Sequence, residues 1–226
     1  YLDSSKAFFT LTFLLLKRLC SPIFELSNSK ESFTMGFCKK YTEFQLGNSF
    51  HYIGIRFLPT VFSQVFKVDA SILSNRYQEL KTVSAETAEF IDNSLDSSLN
   101  FERVSVLMND YFRSVIKPND FDKDGRLYDA IEIILNNYGV LNIDSGLNTG
   151  ISDRQLRRMF NYYVGGTPKS FSKVVRFQNI LKAKPSTQSL KHSKIFYDLG
   201  YYDQAHFIKD FKNFYGVTPN KAFGRE

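Results

Sequence analysis

The chain has 226 residues, of which 43% are hydrophobic and 16% aromatic, enough for one large or two ordinary domains. Two cysteines, Cys20 and Cys38, are too few for a disulfide framework, and the apolar run Phe8–Leu16 is far shorter than the roughly 20 residues a membrane-spanning helix needs. The net charge of +6 is unevenly placed: residues 1–120 carry 13 basic and 13 acidic side chains, residues 121–226 carry 16 and 10. Excess positive charge confined to one half points to a polyanionic partner, nucleic acid or a membrane surface, against the plainer alternative of a basic surface kept for solubility. The first residue is Tyr1 rather than Met, compatible with a native N-terminus further upstream.

In chain order, Phe9–Leu16, Ser32–Phe37 and His51–Phe57 are short, β-branched or aromatic, and bounded by turn residues, which predicts strands. The many aromatic residues of this half fit a β core better than a ligand pocket. From about Thr82 the apolar spacing changes to threes and fours. It predicts helices over Glu86–Leu95 and Phe101–Ile116, the latter with Val104, Leu107, Met108, Tyr111, Phe112 and Val115 on one face. Pro118 and the polar stretch up to Gly125 predict a linker over 118–125, between a mixed β/α domain (1–117) and a helical domain (126–226). Leu127, Ile131, Ile134, Leu135 and Tyr138 mark the apolar face of the next helix, closed by Gly139. Further helices are expected at about Asp153–Tyr163, Pro168–Ala183 (with Phe171, Val174, Val175, Gln178 and Leu181 on one face), Ser193–Asp198 and Gln204–Tyr215. A last turn opens at Pro219.

One segment of this helical half occurs twice. Leu156, Phe160, Gly165, Thr167 and Pro168 recur 51 residues later as Phe207, Phe211, Gly216, Thr218 and Pro219, and Ser152 recurs as Asp203, each a good N-cap. Two copies of a small helical module suit a protein that reads two stretches of one polymer. In the first copy Leu156, Met159, Phe160 and Tyr163 form an apolar stripe, and Arg154, Arg157, Arg158 and Asn161 share the opposite one. Arginine pairs bidentately with guanine O6 and N7 or clamps phosphate. The alternative is a solvated charged face, although such a face usually mixes in more acids than the single Asp153. In the second copy Phe207, Ile208, Phe211 and Phe214 form the apolar stripe. Gln204 and Ala205 suit adenine and the thymine methyl, and Lys209 and Lys212 suit phosphate or guanine. The second copy is preceded by Ile195–Leu199 and a turn from Gly200, the spacing of a helix-turn-helix. The first is preceded by Ile143–Ile151, where Gly146, Asn148 and Gly150 predict a short or irregular supporting helix.

The stretch Gly200-Tyr-Tyr-Asp-Gln-Ala-His-Phe-Ile-Lys-Asp-Phe-Lys-Asn-Phe-Tyr-Gly-Val-Thr-Pro219 resembles the signature of the AraC/XylS family of bacterial transcription regulators. Ile151-Ser-Asp-Arg-Gln-Leu-Arg-Arg-Met-Phe160, followed by Gly165-Gly-Thr-Pro168, resembles the family's first motif, and the likeness covers about residues 126–223. The resemblance implies an α+β chain overall: a mixed β/α N-terminal domain, then an all-α, seven-helix domain with two helix-turn-helix lobes joined by the helix from Pro168. That linker would be about 24 Å long at 1.5 Å per residue. It could hold two reading helices about 34 Å apart, one duplex turn. The first supporting helix departs from the family pattern in lacking its usual Leu-Ala pair. Tyr52-Ile-Gly-Ile-Arg-Phe-Leu-Pro59 resembles a signature of the sensor-type domains attached to such units.

The resemblance implies a transcription regulator with double-stranded DNA as partner, and the two cysteines fit a reducing cytoplasm. RNA polymerase, a small effector on the N-terminal domain and a second copy of the chain are further candidate partners; no membrane partner is expected. The competing reading is a small-molecule sensor or protein-interaction module whose DNA lobe is vestigial. No catalytic constellation, phosphate-binding loop or dinucleotide fingerprint is present, so neither an enzyme nor a cofactor is expected. Asp120, Asp122, Asp124 and Gly125 mimic the start of a calcium loop, but its twelfth position is Ile131 where a bidentate Glu is needed. A turn and helix cap is the expected role. His51, His192 and His206 have no metal-ligand spacing, and His206 is expected to pack or lie near phosphate.

Overall fold

The computed structural model describes residues 14–18, 32–41, 52–96, 98–117, 121, 124–183 and 200–223. Its N-terminal part is built on a four-stranded antiparallel sheet of β1 (Leu14–Arg18), β2 (Ser32–Met35), β3 (Tyr52–Arg56) and β4 (Tyr77–Glu79), in the order β3-β1-β2-β4. Leu16 pairs with Phe33 on one side and Gly54 on the other. The three expected strands are therefore present, with residues 9–13 and His51 outside the described residues.

Helices cover this sheet. In α1 (Val61–Phe66) Phe62 is fully buried. The start of α2 (Ala85–Ser94) is capped by Ser84, whose hydroxyl accepts from the Thr87 N–H, and α3 (Phe101–Val115) by Asn100, which accepts from the Arg103 N–H. Both helices fall within a residue of their expected bounds. Val104, Met108 and Tyr111 of α3 are buried with Phe57, Phe62, Leu73, Leu80 and Ile91. The Tyr111 hydroxyl donates to Thr87 Oγ1 at 2.7 Å, so this core polar pair is satisfied. Among the described residues of this half, Phe57, Phe62 and Tyr111 are core, whereas Tyr41, Tyr77 and Phe101 are exposed. Sequence periodicity missed α1, β4 and two 3-10 turns (Ala70–Leu73 and Leu80–Thr82). Each is too short to show a full period.

The C-terminal part is helical among the described residues: α4 (Gly125–Asn136), α5 (Ile143–Gly146), α6 (Asp153–Val164), α7 (Pro168–Ala183), α8 (Gln204–Tyr215) and α9 (Pro219–Phe223). The helix expected at Ser193–Asp198 lies outside the described residues. A reciprocal cap opens α7: Thr167 Oγ1 accepts from the Ser170 N–H at 3.1 Å, and Ser170 Oγ accepts from the Thr167 N–H at 2.8 Å. This helix runs through the middle of the domain. Phe171, Val174, Phe177 and Ile180 are all fully buried, so it packs on more than the single face its spacing suggested. Leu127, Ile131 and Ile134 of α4, Leu156 and Phe160 of α6, and Phe207, Phe211 and Phe214 of α8 join it in one continuous core.

Two residues assigned to the apolar face of α4 are not buried there. Leu135 is 38% and Tyr138 65% exposed. The helix stops at Asn136, and Tyr138 takes a positive φ of 54°, so the turn swings its ring out of line with Ile131 and Ile134. A larger departure is Phe37. It belongs to the N-terminal half, yet is 1% exposed within the C-terminal core, 6.1 Å from the Phe171 ring. The two halves share buried surface in spite of the polar stretch between them. No helix among the described residues is long and apolar enough to cross a membrane.

Candidate nucleic-acid interface

The repeat seen in the sequence is a repeat in structure. Ser152 caps α6 by accepting from the Gln155 N–H at 3.3 Å, and Asp203 caps α8 by accepting from the His206 N–H at 2.7 Å. Each helix has twelve residues and ends at a glycine with φ of 88°, Gly165 and Gly216. This left-handed conformation is readily adopted only by glycine, and it turns the chain out of the helix. Pro168 and Pro219 then open the following helix, both buried.

These caps and stops fix which stripe of each helix faces outward. In α6, Leu156, Phe160 and Val164 are buried, Met159 and Tyr163 half-buried, and Arg154, Arg157, Arg158 and Asn161 exposed. Those four side chains and Asp153 line an open cleft of about 500 Å³. In α8, Phe207, Phe211 and Phe214 are buried, and Gln204, Ala205, Lys209 and Lys212 exposed. Every residue singled out from the sequence therefore lies on a solvent-facing surface, in two capped helices packed on the same linker α7. The supporting helix of the first copy is a single turn, α5, in line with its glycines.

Sequence reasoning missed the polar groups that join α7 to the second copy. Arg176 donates to the Gly139 carbonyl from Nη2 (2.8 Å) and Nε (3.1 Å), and to the Gly200 carbonyl from Nη1 (2.9 Å). Its guanidinium also sits 5.3 Å from the centroid of the Tyr201 ring. Burial pushes the Tyr201 hydroxyl well above its ordinary range; the Asp210 carboxylate adds to the rise and Arg176 opposes it. Asp210 is buried on α8, with Lys173 Nζ 3.4 Å from one carboxylate oxygen and His206 Nε2 3.6 Å from the other. A signal was available, because Asp210 lies three residues after Phe207 on the apolar stripe, where a carboxylate requires a partner. His206 is half-buried and meets the Tyr201 ring edge to face, 5.2 Å between centroids.

Among the described residues, no group of three His, Cys, Asp or Glu side chains is arranged to hold a metal ion. Asp124 does serve as a helix cap: its carboxylate accepts from the Arg126 N–H at 3.0 Å and pairs with the Arg126 guanidinium at 2.6 Å. Those hydrogen bonds hold its carboxyl at about 2. Asp120, Asp122, His51, His192 and Cys20 lie outside the described residues, and Cys38 is buried.

Residues 148–225, which contain both capped helices, match the model of a helix-turn-helix domain family. The C-terminal domain belongs to the AraC-type helix-turn-helix family. The chain is accordingly a DNA-binding transcription regulator of α+β class, and the exposed stripes of α6 and α8 lie in its AraC-type domain. Residues 18–79 match a domain of unknown function (DUF6597). No curated protein matches the sequence. Among solved structures, ToxT from Vibrio cholerae O395 is similar over 97% of this chain and 91% of its own, at 14% identity and a TM-score of 0.46. ToxT bound to (E)-4-(8-methylnaphthalen-1-yl)but-3-enoic acid is similar over 94% and 86%, at 14% identity and a TM-score of 0.42.

Proposed function

We propose that α6 and α8 enter successive major-groove segments of one DNA duplex. Arg154, Arg157, Arg158 and Asn161 would read the first segment, and Gln204, Ala205 and Lys209 the second. Lys212, on the last turn of α8, suits a phosphate contact. The observation that carries this is that two repeated, equally capped helices each bury an apolar stripe against one core and leave these eight side chains exposed. Phosphate contacts by Lys and Arg would supply much of the affinity, and base-edge contacts the specificity.

Control by a small effector would act through the N-terminal domain, which touches the C-terminal ends of both helices. Ser63 Oγ donates to the Tyr163 carbonyl at 3.2 Å at the end of α6. At the end of α8 the Tyr41 N–H donates to the Asn213 carbonyl at 3.0 Å, and Asn213 Nδ2 donates to the Lys39 carbonyl at 2.9 Å. A shift in the N-terminal domain therefore has a direct path to each.

The test is a titration of the full chain against a fragment that it enriches from a random double-stranded DNA pool. Arg157→Ala or Arg158→Ala should cost about 1–3 kcal/mol on that fragment and relax preference at one base position. Lys212→Ala should weaken all sequences alike and lower the salt slope by about one. Unchanged affinity after replacing both arginines refutes the assignment of α6. Failure of the wild-type chain to enrich any DNA favours the vestigial-lobe alternative.

A further inference from the structure

A protein that reads two groove segments with two helices must hold those helices at one separation, because the duplex repeat is set by the DNA. Affinity for the whole site then exceeds that for either half only while both helices engage together. The joint between the lobes is therefore as much a part of recognition as the base-facing side chains. Apolar packing alone specifies such a joint loosely, since it is non-directional. Hydrogen bonds from a planar guanidinium specify it in angle as well as distance.

The joint lies where the end of α4 meets the turn before α8. Gly200 approaches Val140 so closely that any side chain on Gly200 would collide with it. Arg176 sits at this crossing. Two of its donors take the Gly139 carbonyl of the first lobe, a third takes the Gly200 carbonyl of the second, and its plane lies near the Tyr201 ring. The Ser172 hydroxyl, one turn earlier on α7, also donates to the Gly139 carbonyl at 2.9 Å. Arg176 is only half-buried, and its contacts are with backbone carbonyls at turns. The apolar packing of Phe177 on Phe211 and Phe214 runs beside it.

We propose that Arg176 is a positioning residue for DNA reading: by holding the Gly139 and Gly200 carbonyls on one guanidinium, it sets the separation of α6 and α8 and hence the half-site spacing that the protein accepts. This rests on the reading that both helices enter DNA. The substitution to watch is Arg176→Gln, which keeps a polar side chain but cannot span both carbonyls. Arg176→Lys is the companion, keeping the charge as a single compact donor group.

The experiment uses the full chain and the DNA fragment enriched by the wild type. Derivatives carry single-base-pair insertions or deletions between the two half-sites, or one half-site alone. The wild type should bind one spacing best. Arg176→Gln should bind each isolated half-site within about twofold of wild type, lose about tenfold or more on the intact site, and show a flattened spacing profile. Arg176→Lys should lie between the two. If the Gln variant loses its helical circular dichroism, the Lys variant carries the same comparison. Equal losses on half-sites and intact site would mark Arg176 as a contact or folding residue and overturn the proposal. So would an unchanged spacing profile in the variant that folds, or a wild type indifferent to spacing. A wild type that enriches no DNA fails differently, because it overturns the two-helix reading itself.

Discussion

Replacing Phe37 by Ala should destabilise the C-terminal domain, although Phe37 lies in the N-terminal half of the chain. The ring is 1% exposed and packs 6.1 Å from Phe171, which is fully buried against Phe160. Its fit at Gly166 is tight enough that a Cβ there would come within 2.6 Å of Phe37 Cε1. A buried Phe→Ala change costs about 3–5 kcal/mol through lost transfer energy and the cavity left behind. For a chain of this length each kcal/mol moves the midpoint by about 2–4 °C, so a fall of roughly 6–20 °C is expected. The assay is thermal unfolding of the full chain by circular dichroism, with Phe101→Ala as control. Phe101 is 81% exposed, and its loss should stay within about 0.5 kcal/mol. DNA affinity of Phe37→Ala should fall as well, measured where both proteins remain folded. A Phe37→Ala midpoint no lower than that of Phe101→Ala would refute the shared core and leave the halves energetically independent.

The two helix-ending glycines should differ when replaced. Both have φ of 88°, so alanine costs about 1–2 kcal/mol at each, but a Cβ at Gly165 would also lie 2.9 Å from the Ala70 carbonyl oxygen, whereas at Gly216 the nearest atom is 3.2 Å away on the Tyr41 ring. Urea titrations should therefore rank Gly165→Ala below Gly216→Ala, and the reverse order would contradict the close docking of the N-terminal domain on α6. The Asp124 carboxyl is held at about 2 by its hydrogen bonds to Arg126, so its contribution to stability is present above the ordinary carboxylate value of about 3.9 and is lost as pH falls through the folded value. Asp124→Asn should accordingly flatten the loss of stability between about pH 4 and pH 2, read as the urea midpoint against pH; an unchanged acid limb would contradict that pairing.

The amphipathic helices were legible because the physics behind them is local. Ser152, Asp203 and Thr167 act on N–H groups within three residues, and Leu156–Phe160 or Phe207–Phe211 face inward because 3.6 residues make a turn. Exposure of Arg154, Arg157 and Arg158 follows from the same count, once the opposite stripe is buried. The short elements α1 and β4 were not legible, since six or three residues hold no periodic signal. Tyr138 broke the count for a related reason: the helix had already stopped, and a positive φ redirected the chain.

Capping residues, apolar spacing and a 51-residue echo in the amino-acid order determined two matched helices with cationic outer stripes, and the stretches around them carry the resemblance to the AraC/XylS family. Tertiary structure alone decided that Phe37 fills the core of the other half, that Asn213 is tied to Lys39 and Tyr41, and that Arg176 bridges Gly139 and Gly200. Contacts between residues tens or hundreds of positions apart leave no local period to read. They exist only once the chain has folded back and brought those groups within hydrogen-bond or van der Waals range.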